Sequence, residues 1–219
     1  MNAHTTQKGF TLAELLVVVA IIGVILAITV TGQNKFGSTA LLTSTAYDMA
    51  LSVRQAQVYG VSGRSGTSAG YGVDFQMSAP TTYRLFLDSY PASVTACHPA
   101  NPNEPSDTPS TKTGDCVYTT SDSVVGEAQI NNGIAITDFC TYKSGASSCA
   151  SGGTISQLDI SFVRPSPEAV IYAKGSGTVS DADAACVKIE KSGGVRYLLV
   201  RKIGTISVLQ VPGSSCSGL

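Results

Sequence analysis

The stretch KGFTLAELLVVVAIIGVILA, residues 8–27, decides the fold, and it contains one acidic side chain, Glu14, in an otherwise apolar run. As a helix rising about 1.5 Å per residue, the apolar residues 10–30 would span the roughly 30 Å core of a bilayer. Lys8 and His4 precede this run without any acidic residue, which predicts a cytoplasmic N-terminus. The sequence therefore predicts a single membrane-inserted helix, with the residues that follow it outside the cytoplasm.

A plain membrane anchor does not explain Glu14. A carboxylate at the centre of a membrane helix costs about 2.5–3.5 kcal/mol, less near its end, and such a residue usually has a partner. A cleaved secretory signal is the second alternative, but it would need a shorter apolar core than this one. A free amine, created by cleavage just before Phe10, would give Glu14 a positive partner on a neighbouring helix.

The residues after this run continue the helix with an apolar stripe. Its members recur at steps of four and three: Leu42, Ala46, Met49, Val53 and Ala56. The pattern predicts one helix from Phe10 to about Tyr59, with a membrane and assembly segment over 10–31 and an amphipathic second half within 32–62. We interpret the stripe as core packing against a sheet, not as a cofactor groove.

Beyond Gly70 the sequence changes to short alternating segments separated by turns. Two hairpins are predicted, over 71–77 with 83–88 and over 155–165 with 168–174, and a three-stranded meander over 185–211. About seven strands after a long helix predict an α+β fold, in which the helix packs on an antiparallel sheet. Residues 63–219 form the predicted extracytoplasmic domain, and the proline-rich segment 89–116 forms an exposed insertion in it.

The six cysteines all lie beyond residue 90: Cys97, Cys116, Cys140, Cys149, Cys186 and Cys216. They form no C-x-x-C pair, so zinc spacing is absent and no metal site is expected. Their even number favours disulfide bonds in an oxidising compartment, with buried free thiols as the alternative. Pairing of neighbours, Cys97–Cys116, Cys140–Cys149 and Cys186–Cys216, is one of fifteen possible connectivities.

Catalytic motifs are missing from the sequence. Only His4 and His98 are present, and there is no phosphate-binding loop, dinucleotide fingerprint or zinc-protease motif. We therefore expect neither an enzyme nor a cofactor. Asp181 and Asp183 fit a solvated turn better than a calcium site.

The last third of the chain holds the one local excess of positive charge. Five cations oppose only Glu190 there: Lys188, Lys191, Arg196, Arg201 and Lys202. Such residues could contact phosphates of DNA. Because residues of a meander alternate between faces, a solvated surface is the favoured interpretation and DNA is not a favoured partner.

The segment from Lys8 and Gly9 through Phe10, Glu14 and the apolar helix closely resembles the class III signal of type IV pilins and type II secretion pseudopilins. The resemblance implies a leader of residues 1–9, cut by a prepilin peptidase between Gly9 and Phe10, with Phe10 then N-methylated. Glu14 matches the glutamate proposed to pair with the N-terminus of a neighbouring subunit. Many members have a proline where this chain has Thr31, so no proline kink is expected.

The order of helix, hairpin and closing strands resembles the GspH/FimT group of minor pilins and pseudopilins. This resemblance implies a low-copy subunit near the fibre tip. A major pilin of the shaft, a DNA-binding minor pilin and an adhesin acting through the proline-rich insertion remain alternatives. The implied partners are other pilin subunits, the prepilin peptidase and an inner-membrane assembly platform. The implied location is the inner membrane before assembly, then an extracellular pilus or a periplasmic pseudopilus.

Overall fold

The computed structural model describes residues 9–63, 70–88, 114–164, 166–179, 181–210 and Cys216, without the side chains of residues 29–36. The chain divides into two compact units, residues 1–40 and residues 41–219. Residues 1–8 of the predicted leader, most of the predicted proline-rich insertion and Cys97 lie outside the described residues.

Helix α1 spans Leu12–Ser62. Thr11 caps its N-terminus, because its Oγ1 accepts the N–H of Glu14 at 3.2 Å and its carbonyl accepts the N–H of Leu15 at 3.2 Å. Gly63 follows the last helical residue with φ of +62°, a left-handed conformation that commonly ends helices at glycine. The predicted long N-terminal helix is confirmed, with its C-terminal end slightly later than predicted.

The second half of α1 carries two apolar stripes on different faces. The predicted stripe is fully buried: Leu42, Ala46, Met49, Val53 and Ala56. A second set is exposed by 37–65%: Leu41, Tyr47, Leu51, Val58 and Val61. The sequence analysis predicted only the buried stripe and missed the exposed apolar set, so its description of this half of the helix was incomplete.

In the described residues eleven strands form two antiparallel sheets. The strands are β1 Tyr71–Gln76, β2 Thr82–Leu87, β3 Ser123–Gln129, β4 Ala135–Lys143, β5 Ala146–Cys149, β6 Ile155–Phe162, β7 Ala169–Gly175, β8 Thr178–Val179, β9 Ala184–Lys191, β10 Gly194–Arg201 and β11 Ile206–Leu209. The first sheet has the order β3-β2-β1-β6-β7-β8, and the second has the order β11-β10-β9-β4-β5. A 3-10 turn, Ala150–Gly152, separates β5 from β6.

The α+β class with antiparallel sheets is confirmed, but the expectation of about seven strands in one sheet was wrong. The sequence analysis missed β3, β4, β5 and β8. β3 is exposed along nearly its whole length, and β5 and β8 are short, so they lack the alternation of buried apolar residues that marks a strand. They are strands because a neighbouring strand pairs with them.

One continuous core lies between the second half of α1 and the two sheets. Phe75 of β1 and Phe162 of β6 enter it from the first sheet, and Phe139 of β4 enters it from the second; all three are fully buried. Each such side chain contributes about 1.5–3 kcal/mol by leaving water. This shared core explains why the helix residues from 41 onward and both sheets belong to one compact unit.

Disulfide bonds join Cys140 to Cys149 and Cys186 to Cys216. Cys116 is also disulfide-bonded, and no described cysteine is free. The prediction of disulfide bonds is confirmed. The second bond holds the fully buried Cys216 against Tyr197 and Leu199, on the face of the second sheet that points away from the main core.

Residues 114–122, which we call the strap, contact the face of the first sheet opposite the core. Ser161 donates a hydrogen bond to the carbonyl of Cys116 at 3.2 Å, and Gln157 donates one to the carbonyl of Tyr118 at 3.0 Å. The Tyr118 ring lies edge-on to Phe86, with 5.4 Å between the ring centroids. The strap therefore buries polar residues that would otherwise face water.

Candidate processing and assembly segment

Gly9 and Phe10 lie immediately before the helix and are open to solvent. Phe10 is 81% exposed, and a Cβ added to Gly9 would meet nothing within 4 Å. The packing of the described chain therefore places no demand for glycine at position 9. A requirement for glycine there would have to come from a second molecule that binds the peptide.

Glu14 lies in the first turn of α1, and its side chain is exposed. With Thr11 as N-cap and glutamate three residues later, the sequence has the form of a capping box. The negative charge is favourable at the positive end of the helix dipole. Both Thr11 and Glu14 follow the predicted cleavage point, so the capped helix start would remain in the mature chain.

The surface of α1 behind Glu14 is almost wholly apolar. Large exposed side chains cover it: Leu12, Leu15, Leu16, Val17, Val18, Val19, Ile21, Ile22, Val24, Ile25, Leu26 and Ile28. A contiguous exposed apolar surface of this kind marks contact with a membrane or another protein. Within the described residues, no helix combines the length and the apolarity needed to cross a membrane.

Residues 4–30 match the family model described as a prokaryotic N-terminal methylation motif. No curated protein and no solved structure matches the chain. The motif supports a type IV pilin-like precursor that a prepilin peptidase processes and that assembles with other pilin subunits. It also fits a pilin that is anchored in a membrane before assembly, and the α+β architecture is consistent with a pilin fold.

The structure does not bring the five C-terminal cations together. Arg196 is only 5% exposed, and its Nε donates to Thr43 Oγ1 of α1 at 3.1 Å. Lys188 pairs with Glu190 at 3.1 Å, and Lys202 pairs with Asp181 at 2.7 Å. In the described residues, each of these three cations is therefore engaged with a partner of its own, and the three do not form a free positive cluster.

Lys191 and Arg201 complete the set. Lys191 is half-buried at the end of β9, and Arg201 is exposed. Arg201 lines a shallow cleft of about 460 Å³ with Tyr142 and Asp183. Asp183 is exposed and accepts the N–H of Ser144, in the turn between β4 and β5, at 2.8 Å.

One described group brings together residues of the kind that bind metals: Asp138, Cys140 and Cys149. The two sulfur atoms are bonded to each other. Asp138 accepts hydrogen bonds from the N–H and the hydroxyl of Ser151, both at 2.9 Å. In the oxidised chain these contacts hold β4 against β5 and the turn that follows it. The sulfur atoms are bonded to each other and are not available as thiolate ligands.

Sequence analysis missed a set of buried acidic residues in the first sheet. Asp74 and Asp159 are fully buried and pair in register between β1 and β6. A signal was present, because polar residues alternate with apolar ones along 157–161, as in a strand with two different faces. Only the tertiary contacts show that the polar face is covered.

Proposed function

We propose that this chain is a subunit of a type IV pilus-like fibre, made as a precursor and cut between Gly9 and Phe10, with Phe10 then N-methylated. The N-terminal methylation motif over residues 4–30 carries the proposal. The exposed Gly9–Phe10 junction before a capped helix supports it, since a peptidase must reach that bond.

The apolar surface of α1 supports a role in assembly. Burying a side chain such as Leu16 or Ile25 contributes about 1.5–3 kcal/mol, so a dozen of them strongly favour a covered state. We propose that the inner membrane covers this surface first and that the helices of other subunits cover it in the fibre. The second half of the helix carries an exposed apolar set of its own, which contains Tyr47, Leu51 and Val58.

Glu14 is given a specific role by this proposal. An unpaired carboxylate is costly among apolar helices, whereas a carboxylate paired with an amine is not. Cleavage before Phe10 creates that amine on every mature subunit. We propose that Glu14 of one subunit pairs with the Phe10 amine of its neighbour, which sets the register between the two helices.

Within this class we propose a low-copy subunit of the GspH/FimT-like branch, located near the fibre tip. The order of strands in the sequence supports this proposal. Immunogold labelling of fibres is its test: label at one end supports it, and label along the whole shaft supports a major pilin instead.

The processing and assembly steps are separable by mutation. Gly9→Ala should leave the precursor uncut, because the added methyl group disturbs the bound peptide and not the chain itself. Glu14→Gln should be cut and methylated normally but should enter fibres at a strongly reduced level. Glu168→Gln, which alters an exposed acid of the second unit, is the matched control and should behave as wild type.

Mass spectrometry of the mature chain and quantification of sheared fibres provide the two readouts. A mature N-terminus other than N-methylated Phe10 would contradict the processing step. Normal incorporation of Glu14→Gln would contradict the pairing step while leaving the processing step intact.

A further inference from the structure

A row of charged side chains crosses four strands of the first sheet on the face that the strap covers. In register, Glu127 of β3, Arg84 of β2, Asp74 of β1 and Asp159 of β6 follow one another. Arg84 donates to Glu127 at 2.8 Å and to Asp74 at 3.2 Å. We call this the charged row. Its three acids face one base, and the two acids at its inner end are fully buried.

The two buried acids are not equivalent. Asp74 has the cation of Arg84 and the amide of Gln76 as donors. Asp159 Oδ2 accepts the amide N–H of Gln157 at 2.9 Å, but within the described residues no group donates to Asp159 Oδ1. A buried carboxylate oxygen without a donor is expensive, and a second one beside Asp74 would add repulsion between like charges.

We propose that Asp74 and Asp159 share a single proton, carried by Asp159 and donated to Asp74, and that this proton holds the strap on the first sheet. The strap is then released as the pH rises and this proton is lost. The arrangement satisfies the last open oxygen of the pair and reduces its charge from two to one.

A proton fits this position better than a metal ion. Calcium takes about six to eight oxygen ligands, and magnesium about six. Here the N–H groups of Arg84, Gln76 and Gln157 already donate to the carboxylates. A bound cation would repel these positively polarised N–H groups. One remaining oxygen is enough for a hydrogen bond and too few for either metal.

The electrostatic surroundings of the pair act in the same direction. Burial raises the pKa of Asp159 well above its ordinary value, and the negative charge of Asp74 raises it further, although the backbone N–H of Tyr118 and the amide of Gln157 oppose this shift. Burial also raises the pKa of Asp74, although Gln76 and Arg84 oppose this shift. The charged and titratable groups around the pair and the strap are Arg84, Glu127, Tyr172, Lys174, Tyr118, Asp115, Asp122 and Asp88.

The pair is connected to the strap through Gln157. Its amide donates to Asp159 Oδ2 at 2.9 Å and to the Tyr118 carbonyl at 3.0 Å, so the position of the carboxyl group affects the strap directly. Arg84 lies 5.6 Å from the centre of the Tyr118 ring. Ionisation of Asp159 would place a second charge beneath both contacts.

A second buried acid holds the start of the strap. Asp88 accepts the N–H of Cys116 at 2.7 Å and that of Asp115 at 3.1 Å. Burial raises the pKa of Asp88 to about 8. Asp88 therefore titrates in the same region of the molecule, and an experiment on the pair must separate the two contributions.

Hydrogen exchange of the full-length oxidised chain in detergent tests the proposal. An acid whose pKa is raised by folding stabilises the folded state most below its unfolded pKa, near 3.9, and this stability is lost as the pH rises through the folded pKa. Protection of the strap amides, corrected for intrinsic exchange, should fall about tenfold per pH unit for each such proton. In Asp159→Asn the amide donates permanently to Asp74, so this dependence should weaken by one proton.

Glu168→Gln is the matched control, since it removes an exposed acid and should keep the wild-type pH profile. Asp88→Asn should retain the contribution of the pair. A pH dependence in Asp159→Asn equal to that of the wild type would overturn the proposal. So would an increase in strap protection at alkaline pH on adding calcium or magnesium chloride, because the site would then hold a metal.

Infrared spectroscopy keeps the test decisive if Asp159→Asn fails to fold. At a pH above the range in which exposed carboxylates ionise, Asp88→Asn should still show the carbonyl stretch of one protonated carboxylic acid, because the pair keeps its proton. Absence of the band in that variant would refute the shared proton.

Discussion

Removal of the Cys186–Cys216 bond should destabilise the chain more than removal of the Cys140–Cys149 bond. The bond joins residues 30 apart in sequence, whereas Cys140–Cys149 joins residues 9 apart. In the chain-entropy model these loops correspond to about 3.5 and about 2.5 kcal/mol of unfolding free energy. The double variant Cys186→Ala with Cys216→Ala therefore tests how far the longer bond stabilises the fold.

Local structure should widen the difference between the two bonds. Cys140 and Cys149 are register partners in the β4–β5 hairpin, so backbone pairing keeps them close even without the bond. Cys216 is fully buried against Tyr197 and Leu199 but belongs to none of the described strands, so no strand pairing among them keeps it there. Loss of the longer bond should therefore also expose part of this small apolar cluster.

Thermal unfolding of the oxidised full-length chain, followed by circular dichroism, measures the effect. For a domain of this size, 3.5 kcal/mol lowers the midpoint by roughly 7–14 °C. Cys140→Ala with Cys149→Ala is the matched control and should lower it less. An equal or larger loss in the control would refute the reasoning, as would an unchanged midpoint in the Cys186 and Cys216 variant.

Two further pairs of substitutions, each a probe with its control, test the packing of α1 on the sheets. Met49→Ala should cost about 2–5 kcal/mol, because Met49 is fully buried, whereas Leu51→Ala, 65% exposed, should stay within about 0.5 kcal/mol of wild type. Urea unfolding distinguishes the two, and similar losses would contradict the assignment of the buried stripe. Gly60→Ala should destabilise by about 1–3 kcal/mol, since its new methyl group would overlap the Phe162 carbonyl. Gly126→Ala on β3, where a Cβ meets nothing within 4 Å, is its control, and equal stability of these two variants would be evidence against close packing of α1 on β6.

The sequence was sufficient for features that depend on neighbours along the chain. The helix and its buried stripe follow from a 3.6-residue period, and the processing junction is a contiguous motif. The hairpin β1–β2 and the meander β9–β10–β11 are likewise joined by short turns. In each case the interacting residues are close in sequence, so a local pattern predicts them.

The proposed processing and assembly site depends on sequence for a related reason. Gly9, Phe10 and Glu14 lie within one short segment, and the roles proposed for them rest on residue type and spacing. The possible DNA contacts were harder to judge, because Arg196 alternates to the inner face of β10 and donates to Thr43 of the helix. A count of charges along the sequence cannot distinguish the two faces of a strand.

By itself, then, the sequence determined the capped apolar helix, its methylation motif and the α+β class, since these depend on local periodicity and contiguous residues. Only the tertiary structure decided the division into two sheets, the covering strap and the meeting of Asp74 with Asp159. Those features join segments distant in sequence, and their partners are chosen by burial and register. A buried carboxyl pair exists only where two strands and a covering segment exclude water, and no single stretch of the chain contains that information.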